Sequence, residues 1–131
     1  MRFVDTSFWI ALQARRDRDH SAARALAERG LGPVLTTNHV IGETWTFTCR
    51  KRGHAGAIEA IRAIRAVPNL TVLHVEPHLE DDAWRWLNRR DEREYSFIDA
   101  TSFAVMRRHR IREAYAFDGD FSAAGFVEVR P

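Results

Sequence analysis

The sequence predicts one α/β domain over residues 1–131, a three-layer α/β/α sandwich around a short parallel sheet. Three observations carry this. Short runs rich in β-branched and aromatic residues alternate with segments of helical period. A helix lies between most successive runs, so the strands connect by right-handed crossovers and run parallel. At 131 residues the chain fits one core and is too short for an eight-fold strand–helix barrel.

The elements follow in order. Arg2-Phe3-Val4 is a strand ending at Asp5, and Phe8, Trp9 and Leu12 then share the face of a helix that begins near Thr6 or Ser7, either able to cap it. A second helix covers His20 to Arg29, with Gly30 as its stop. Pro33 to Thr36 is the second strand. Thr37 or Asn38 caps a helix to about Arg52, closed by Gly53, and Ala55 to Val67 is a further helix with Ile58, Ile61 and Ile64 in period. Pro68-Asn69 breaks it, and Thr71 to Val75 is the third strand. Pro77 opens a helix through Trp84 and Leu87, followed by a charged stretch from Asn88 to Glu94. Ser96 caps a helix from Phe97 to His109. Tyr115-Ala116-Phe117 is the fourth strand, running into Asp118, and a turn of helix precedes a last strand from Phe126 to Val129. No repeat, low-complexity tract or linker interrupts the chain.

With 45% hydrophobic and 29% charged residues, the composition is that of a soluble globular protein. The net charge of +2 says little, but Lys51 is the only lysine among 20 basic residues. Arginine forks match phosphate oxygens; a GC-rich genome would also write Arg for Lys on solvated faces. The single Cys49 excludes an internal disulfide and fits a reducing compartment. Asp5 interrupts the apolar start and no run reaches the length of a spanning helix, so the expected location is cytoplasmic, without membrane attachment.

Four acids stand out by position. Asp5 and Asp118 each lie at the carboxyl end of a strand, where open parallel sheets place their ligand sites if the two strands are neighbours at the reversal of strand order. Glu43 and Asp99 lie early in helices, among Val40, Trp45 and Phe47 in one case and Phe97, Phe103 and Met106 in the other. Neither has a Lys or Arg one turn further along. A carboxylate in apolar surroundings costs several kcal/mol unless a cation compensates it, so an absent side-chain cation invites a bound one. Hard oxygen donors without Cys or paired His favour Mg²⁺, or Mn²⁺, over zinc. Each acid also has an ordinary structural role open to it. Ser96 to Asp99 matches a capping box, Asp118-Gly119-Asp120 reads as a turn, Asp5 can cap the next helix, and Glu43 can pair with Arg50. Their joint placement at one crevice outweighs these separate roles. His74 and His78 are separated by Pro77 and make a poor zinc pair, and no nucleophilic triad or glycine-rich phosphate loop is present.

Four segments in order, Val4-Asp5-Thr6-Ser7, Asn38-His39-Val40-Ile41-Gly42-Glu43, Phe97-Ile98-Asp99-Ala100 and Phe117-Asp118-Gly119-Asp120-Phe121, make the chain resemble a PIN domain along its whole length. Within that family it resembles the small VapC-type toxins of type II toxin–antitoxin pairs. The resemblance implies a Rossmann-like sandwich and an Mg²⁺-dependent endoribonuclease, with Asp5, Glu43, Asp99 and Asp118 as the catalytic, metal-holding cluster. Asp120 is implied as a supporting acid near a second metal position, and Thr6 or Ser7 as a support for Asp5 or for a water on the metal. It leaves open whether Asp118 or Asp120 ligates directly, and whether one ion or two is held. Water activated by the ion would attack the phosphodiester, leaving a 5′-phosphate and a 3′-hydroxyl. The implied partners are RNA, a small cognate antitoxin and a second copy of the chain. The helices around Ala22–Leu26 and Ala55–Val67 are candidates for the protein contacts. Arg15, Arg16 and Arg18, then Arg50, Lys51 and Arg52, then Arg89, Arg90 and Arg93 are candidates to hold substrate; Trp45, Trp84 and Trp86 fit the core better than base stacking.

Two readings compete outside the toxin assignment. A phosphatase or phosphoacceptor needs a second Asp two residues after the first and a placed lysine, but Ser7 holds that position and Lys51 sits at a helix end. A PIN-like binding module without catalysis would not need the intact acids. A housekeeping RNA-processing nuclease shares the same chemistry.

Overall fold

The computed structural model describes residues 1–131. Five parallel strands lie in the order β3-β2-β1-β4-β5: β1 (Arg2–Val4), β2 (Val34–Thr37), β3 (Leu70–Leu73), β4 (Glu113–Tyr115) and β5 (Val127–Glu128). Six helices connect them: α1 (Thr6–Gln13), α2 (His20–Glu28), α3 (Asn38–Arg65), α4 (Pro77–Leu87), α5 (Phe97–Arg108) and α6 (Asp120–Ala123). Strand order runs outward one way from β1 to β3 and then restarts at β4 on the other side of β1. Right-handed crossovers therefore put α1, α2 and α3 on one face and α4 and α5 on the other. The reversal point falls between β1 and β4, whose residues pair as Phe3 with Ala114 and Val4 with Tyr115. No helix is long and apolar enough to cross a membrane.

The core explains why α5 is central. Every residue from Asp99 to Met106 is buried. Phe103 packs against Trp86 (5.2 Å between ring centroids), Phe121 (4.9 Å) and Phe126 (5.5 Å), and burial of one such ring contributes about 1.5–3 kcal/mol. On the other face of the sheet, Phe8 sits against Tyr115 and Phe117.

Several element boundaries differ from those expected, each for a local reason. Gly53 does interrupt the helix as expected. With φ 77° and ψ 179° it is non-helical, a conformation open to glycine, and Asn38–Arg65 is two helices joined across a kink there. The second stops at Arg65 rather than Val67. The third strand is Leu70–Leu73 and not Thr71 to Val75. Its partner β2 ends where α3 begins, and the Val75 N–H bonds the Asn38 side-chain oxygen instead (2.9 Å). The fourth strand is Glu113–Tyr115, so Asp118 stands three residues beyond it. The last rung there is Asp5 N–H to the Tyr115 carbonyl (3.1 Å), after which the Phe117 N–H turns to the Ser7 hydroxyl (3.0 Å). The fifth strand is only Val127–Glu128, because the Phe126 N–H closes the α6 turn on Phe121 O (2.9 Å).

Candidate metal centre

Asp5 leaves β1 in an extended conformation and caps α1. Its Oδ2 accepts hydrogen bonds from the Ser7 N–H (3.0 Å) and the Ser7 hydroxyl (2.7 Å). Ser7 is therefore a bridge, since the same hydroxyl receives the Phe117 N–H and ties the end of β1 to the chain leaving β4. The Thr36 hydroxyl donates to the Val4 carbonyl (2.8 Å) and fixes the other side. Of the two residues expected to support Asp5, Ser7 does so. The Thr6 hydroxyl is buried with no partner.

Asp99 plays its ordinary role and more. One oxygen, Oδ2, accepts the Ser96 N–H (2.9 Å) while Ser96 Oγ accepts the Asp99 N–H (2.9 Å), completing the capping box. The Oδ1 atom takes no part in the capping box. Asp118 and Asp120 come from the turn before α6, where the Asp120 N–H bonds Asp118 Oδ1 (3.0 Å). Gly119 between them has φ 82°, and a Cβ there would meet an Arg93 nitrogen at 3.2 Å, so this turn needs glycine on both counts. Arg93 holds the turn from outside, donating to Asp120 Oδ1 (2.7 Å) and to the Asp118 carbonyl (3.1 Å).

Glu128 was not anticipated as part of this arrangement. It is buried beneath the turn and accepts the N–H groups of Gly119 (3.3 Å) and Ser122 (2.9 Å) and the Arg130 guanidinium (3.2 Å). Burial would raise its carboxyl, but these donors outweigh that and hold it below the ordinary value. The local sequence does carry a faint signal: an acid between two valines in a strand faces away from them. What it meets there depends on the placement of α6.

The acids converge. Carboxylate oxygens of Asp99, Asp118 and Asp120 lie within 4.8 Å of one another, a distance at which two full charges repel by roughly 3 kcal/mol at an effective dielectric near 20. Asp5 joins them from β1. Its carboxyl is pushed far up by burial and by the charge of Asp118, with Asp99 adding to the effect and the Ser7 hydrogen bonds opposing it. Asp118 reaches solvent, yet loss of hydration on its protein side, with the charges of Asp120 and Glu128, raises it too. These two titrate as a pair. Burial also lifts Asp99 to about 7, its bonds to Ser96 holding it back and the charges of Asp120 and Asp118 adding to the rise. The group contains oxygen donors only, with no His or Cys and no cationic side chain among them save Arg93 at the rim. That donor set fits a hard divalent cation.

Glu43 differs from the other acids, and here the expectation is corrected. Its helix face is not buried in apolar surroundings: Phe47 is 41% exposed, Trp45 packs edge-on to His54, and Glu43 itself is half-buried. It lines an open groove with His39, Glu80, Phe97 and Ile98, and its carboxylate is not among the mutually close oxygens of Asp99, Asp118 and Asp120. The α3 helix springs from the end of β2 at the same edge of the sheet, with Thr37 as its cap. Nor is Trp84 a core residue. It is 54% exposed and stacks on Phe97 at the mouth of that groove (4.4 Å).

Comparison with known proteins agrees with this geometry. The PIN domain family profile matches residues 2–127. The chain is 59% identical over 131 residues to the 23S rRNA-specific endonuclease VapC20 of Mycobacterium tuberculosis, covering 100% of this chain and 99% of that one. The crystal structure of Mycobacterium tuberculosis VapC20, described as a sarcin–ricin-loop-cleaving toxin, superposes with a TM-score of 0.93 at 58% identity, over 100% of both chains. A toxin–antitoxin complex from Klebsiella pneumoniae matches at a TM-score of 0.57 and 16% identity, over 87% of this chain and 83% of that one, a likeness of fold.

Proposed function

The chain belongs to the PIN-domain family, and on that premise we propose that it is a metal-dependent endoribonuclease, the toxin of a toxin–antitoxin pair, cutting 23S ribosomal RNA in the sarcin–ricin loop. The substrate is carried over from the relative that shares 59% of its residues. On this reading the protein acts in the cytoplasm, is neutralised by a small antitoxin and assembles with a second copy of itself.

One observation carries the chemistry. Four aspartates from three separate parts of the chain meet where strand order reverses. Burial and mutual repulsion raise the carboxyls of three of them, Asp5 and Asp99 far above the ordinary range and Asp118 in the same direction. A protein that used them only as caps and turns would gain nothing from crowding them. Asp5, Asp99 and Asp118 would hold Mg²⁺ or Mn²⁺ directly, with Asp120, turned toward Arg93, supporting a second position. A divalent ion there supplies an activated water and neutralises charge on the leaving oxygen. The chain's own residues do the rest. Ser7 fixes the Asp5 carboxylate against the turn, Glu128 and Arg93 hold Asp118 and Asp120 in place, and the Glu43 carboxylate at the rim accepts the proton of the attacking water. Trp84 and Phe97 offer an exposed aromatic pair on which a base can stack.

The test is cleavage of purified ribosomes by the intact chain, mapped by primer extension. One cut within the sarcin–ricin loop is expected, lost on chelation and in Asp5→Asn and Asp99→Asn. Cleavage that persists in both variants refutes the carboxylate mechanism, and cuts elsewhere in ribosomal or transfer RNA refute the substrate.

A further inference from the structure

Between α4 and the C-terminal half of α5 lies a cavity of about 570 Å³ whose wall is basic. Arg85, Arg89, Arg90, Arg107 and Arg108 surround Trp86, with Asp82 as the one acid. Asp82 pairs with Arg85, and Arg90 reaches Glu92 only at 3.8 Å. Arg89, Arg107 and Arg108 make no ion pair. Two guanidiniums lie over the Trp86 ring, Arg90 at 5.1 Å and Arg107 at 5.9 Å from its centroid, close enough for cation–π attraction. Desolvation holds Arg107 below its ordinary value, and the neighbouring Arg90 charge adds to that against the pull of Asp82. Five like charges gathered around one cavity repel one another, and only Asp82 and the more distant Glu92 offset them, leaving Arg89, Arg107 and Arg108 without an ion-pair partner.

We propose that this cavity binds the phosphodiester backbone of the RNA substrate a few nucleotides from the cut. The inference rests on the nuclease reading above. Guanidinium forks match phosphate oxygens bidentately. The cavity is also coupled to the metal centre by packed rings: Trp86 meets Phe103 at 5.2 Å and Phe103 meets Phe121 at 4.9 Å, the residue next to Asp120. The segment from Arg89 runs directly to Arg93, which grips Asp120. A strand leaving the aspartates would pass Arg93 and then, beyond the acidic pair Asp91 and Glu92, meet the arginines of the cavity. An acidic protein segment fits less well, because Trp86 is already covered and Ala104 is the only other apolar wall, leaving no pocket for an anchoring side chain.

The test reads binding without cleavage. A fluorescein-labelled RNA stem–loop is titrated with the intact chain in EDTA across 50–300 mM KCl, then with the double variant Arg89→Gln/Arg108→Gln and with Arg24→Gln, a control on α2 whose guanidinium pairs with Glu28. The double variant is expected to bind roughly 10- to 100-fold more weakly at 0.1 M salt, with a log K against log salt slope shallower by about two. The control changes neither. An unchanged slope and affinity in the double variant overturns the site. Displacement of RNA from the intact chain by a ten-residue glutamate peptide as readily as by a ten-nucleotide RNA overturns it in favour of an acidic partner. Because no metal is present, a chain that shows the expected slopes yet cleaves nothing on addition of Mg²⁺ supports the cavity and breaks the nuclease reading alone.

Discussion

Replacing Asp99 by asparagine should stabilise the metal-free protein while abolishing its activity. The side chain is 8% exposed, and its carboxyl titrates at about 7 in place of the ordinary 3.8. Below pH 4 the group is neutral in both folded and unfolded chains. Between about 4 and 7 the unfolded chain releases the proton and the folded one keeps it, so stability falls as pH rises and levels off above 7. At about 1.4 kcal/mol per pH unit of separation, the full loss is roughly 4 kcal/mol. Asparagine carries no such penalty, and its amide oxygen can still accept the Ser96 N–H that Asp99 receives. At pH 8 in EDTA, Asp99→Asn is therefore expected to melt about 10 °C above the intact chain, with the two converging near pH 4. Adding Mg²⁺ should reverse the order, since only the intact chain gains a bound ion. The assay is a pair of thermal melts across pH 4–8 with and without metal, the difference between the chains cancelling the titrations they share. Equal melting temperatures at pH 8 in EDTA would refute the claim that Asp99 is held in a site built for a cation.

The remaining expectations follow from the groups that hold the aspartates. Ser7→Ala leaves the Phe117 N–H without its partner at a cost of roughly 1–3 kcal/mol and removes a donor that keeps Asp5 down, so urea stability and metal affinity at pH 7 should both fall; unchanged urea stability would show that the bridge is dispensable. Glu128→Gln puts an amide where N–H groups already point and should cost roughly 2 kcal/mol near neutrality. Since the Glu128 carboxyl lies below its ordinary 4.5 in the fold, its contribution is present above that value and lost as pH falls through the folded one, so the variant and the intact chain should converge in acid denaturation. Glu43→Gln should lower the cleavage rate by about 100-fold or more with less than a tenfold change in Mn²⁺ affinity. A loss of affinity matching that of Asp99→Asn would instead make Glu43 a ligand.

How much of this was legible beforehand divides along a physical line. Local patterns are written in neighbouring residues, so the strands, the helix starts at Thr37 and Ser96 and the turn at Gly119 could be read directly. That Asp5 and Asp118 flank the strand-order reversal could be read only on the condition that the first and fourth strands are neighbours, which the fold supplies. Strand ends were less legible because a strand stops where its neighbour does. β3 ends at Leu73 because β2 turns into α3, and β4 ends at Tyr115 because a serine more than 100 residues away takes the next N–H.

What the amino-acid order alone determined was the class of fold, the family resemblance and the set of acids from which a metal centre could be drawn. Only the tertiary structure brought Asp99, Asp118 and Asp120 together with Asp5 feeling their charge, put Glu43 in a groove with His39 and Glu80, and revealed Glu128 beneath the turn and the arginine-lined cavity between α4 and α5. The reason is that the charge state and partners of a side chain depend on distances of a few ångströms between segments remote in the chain. Burial and Coulomb repulsion act through space, and the spacing of residues along the backbone does not encode them.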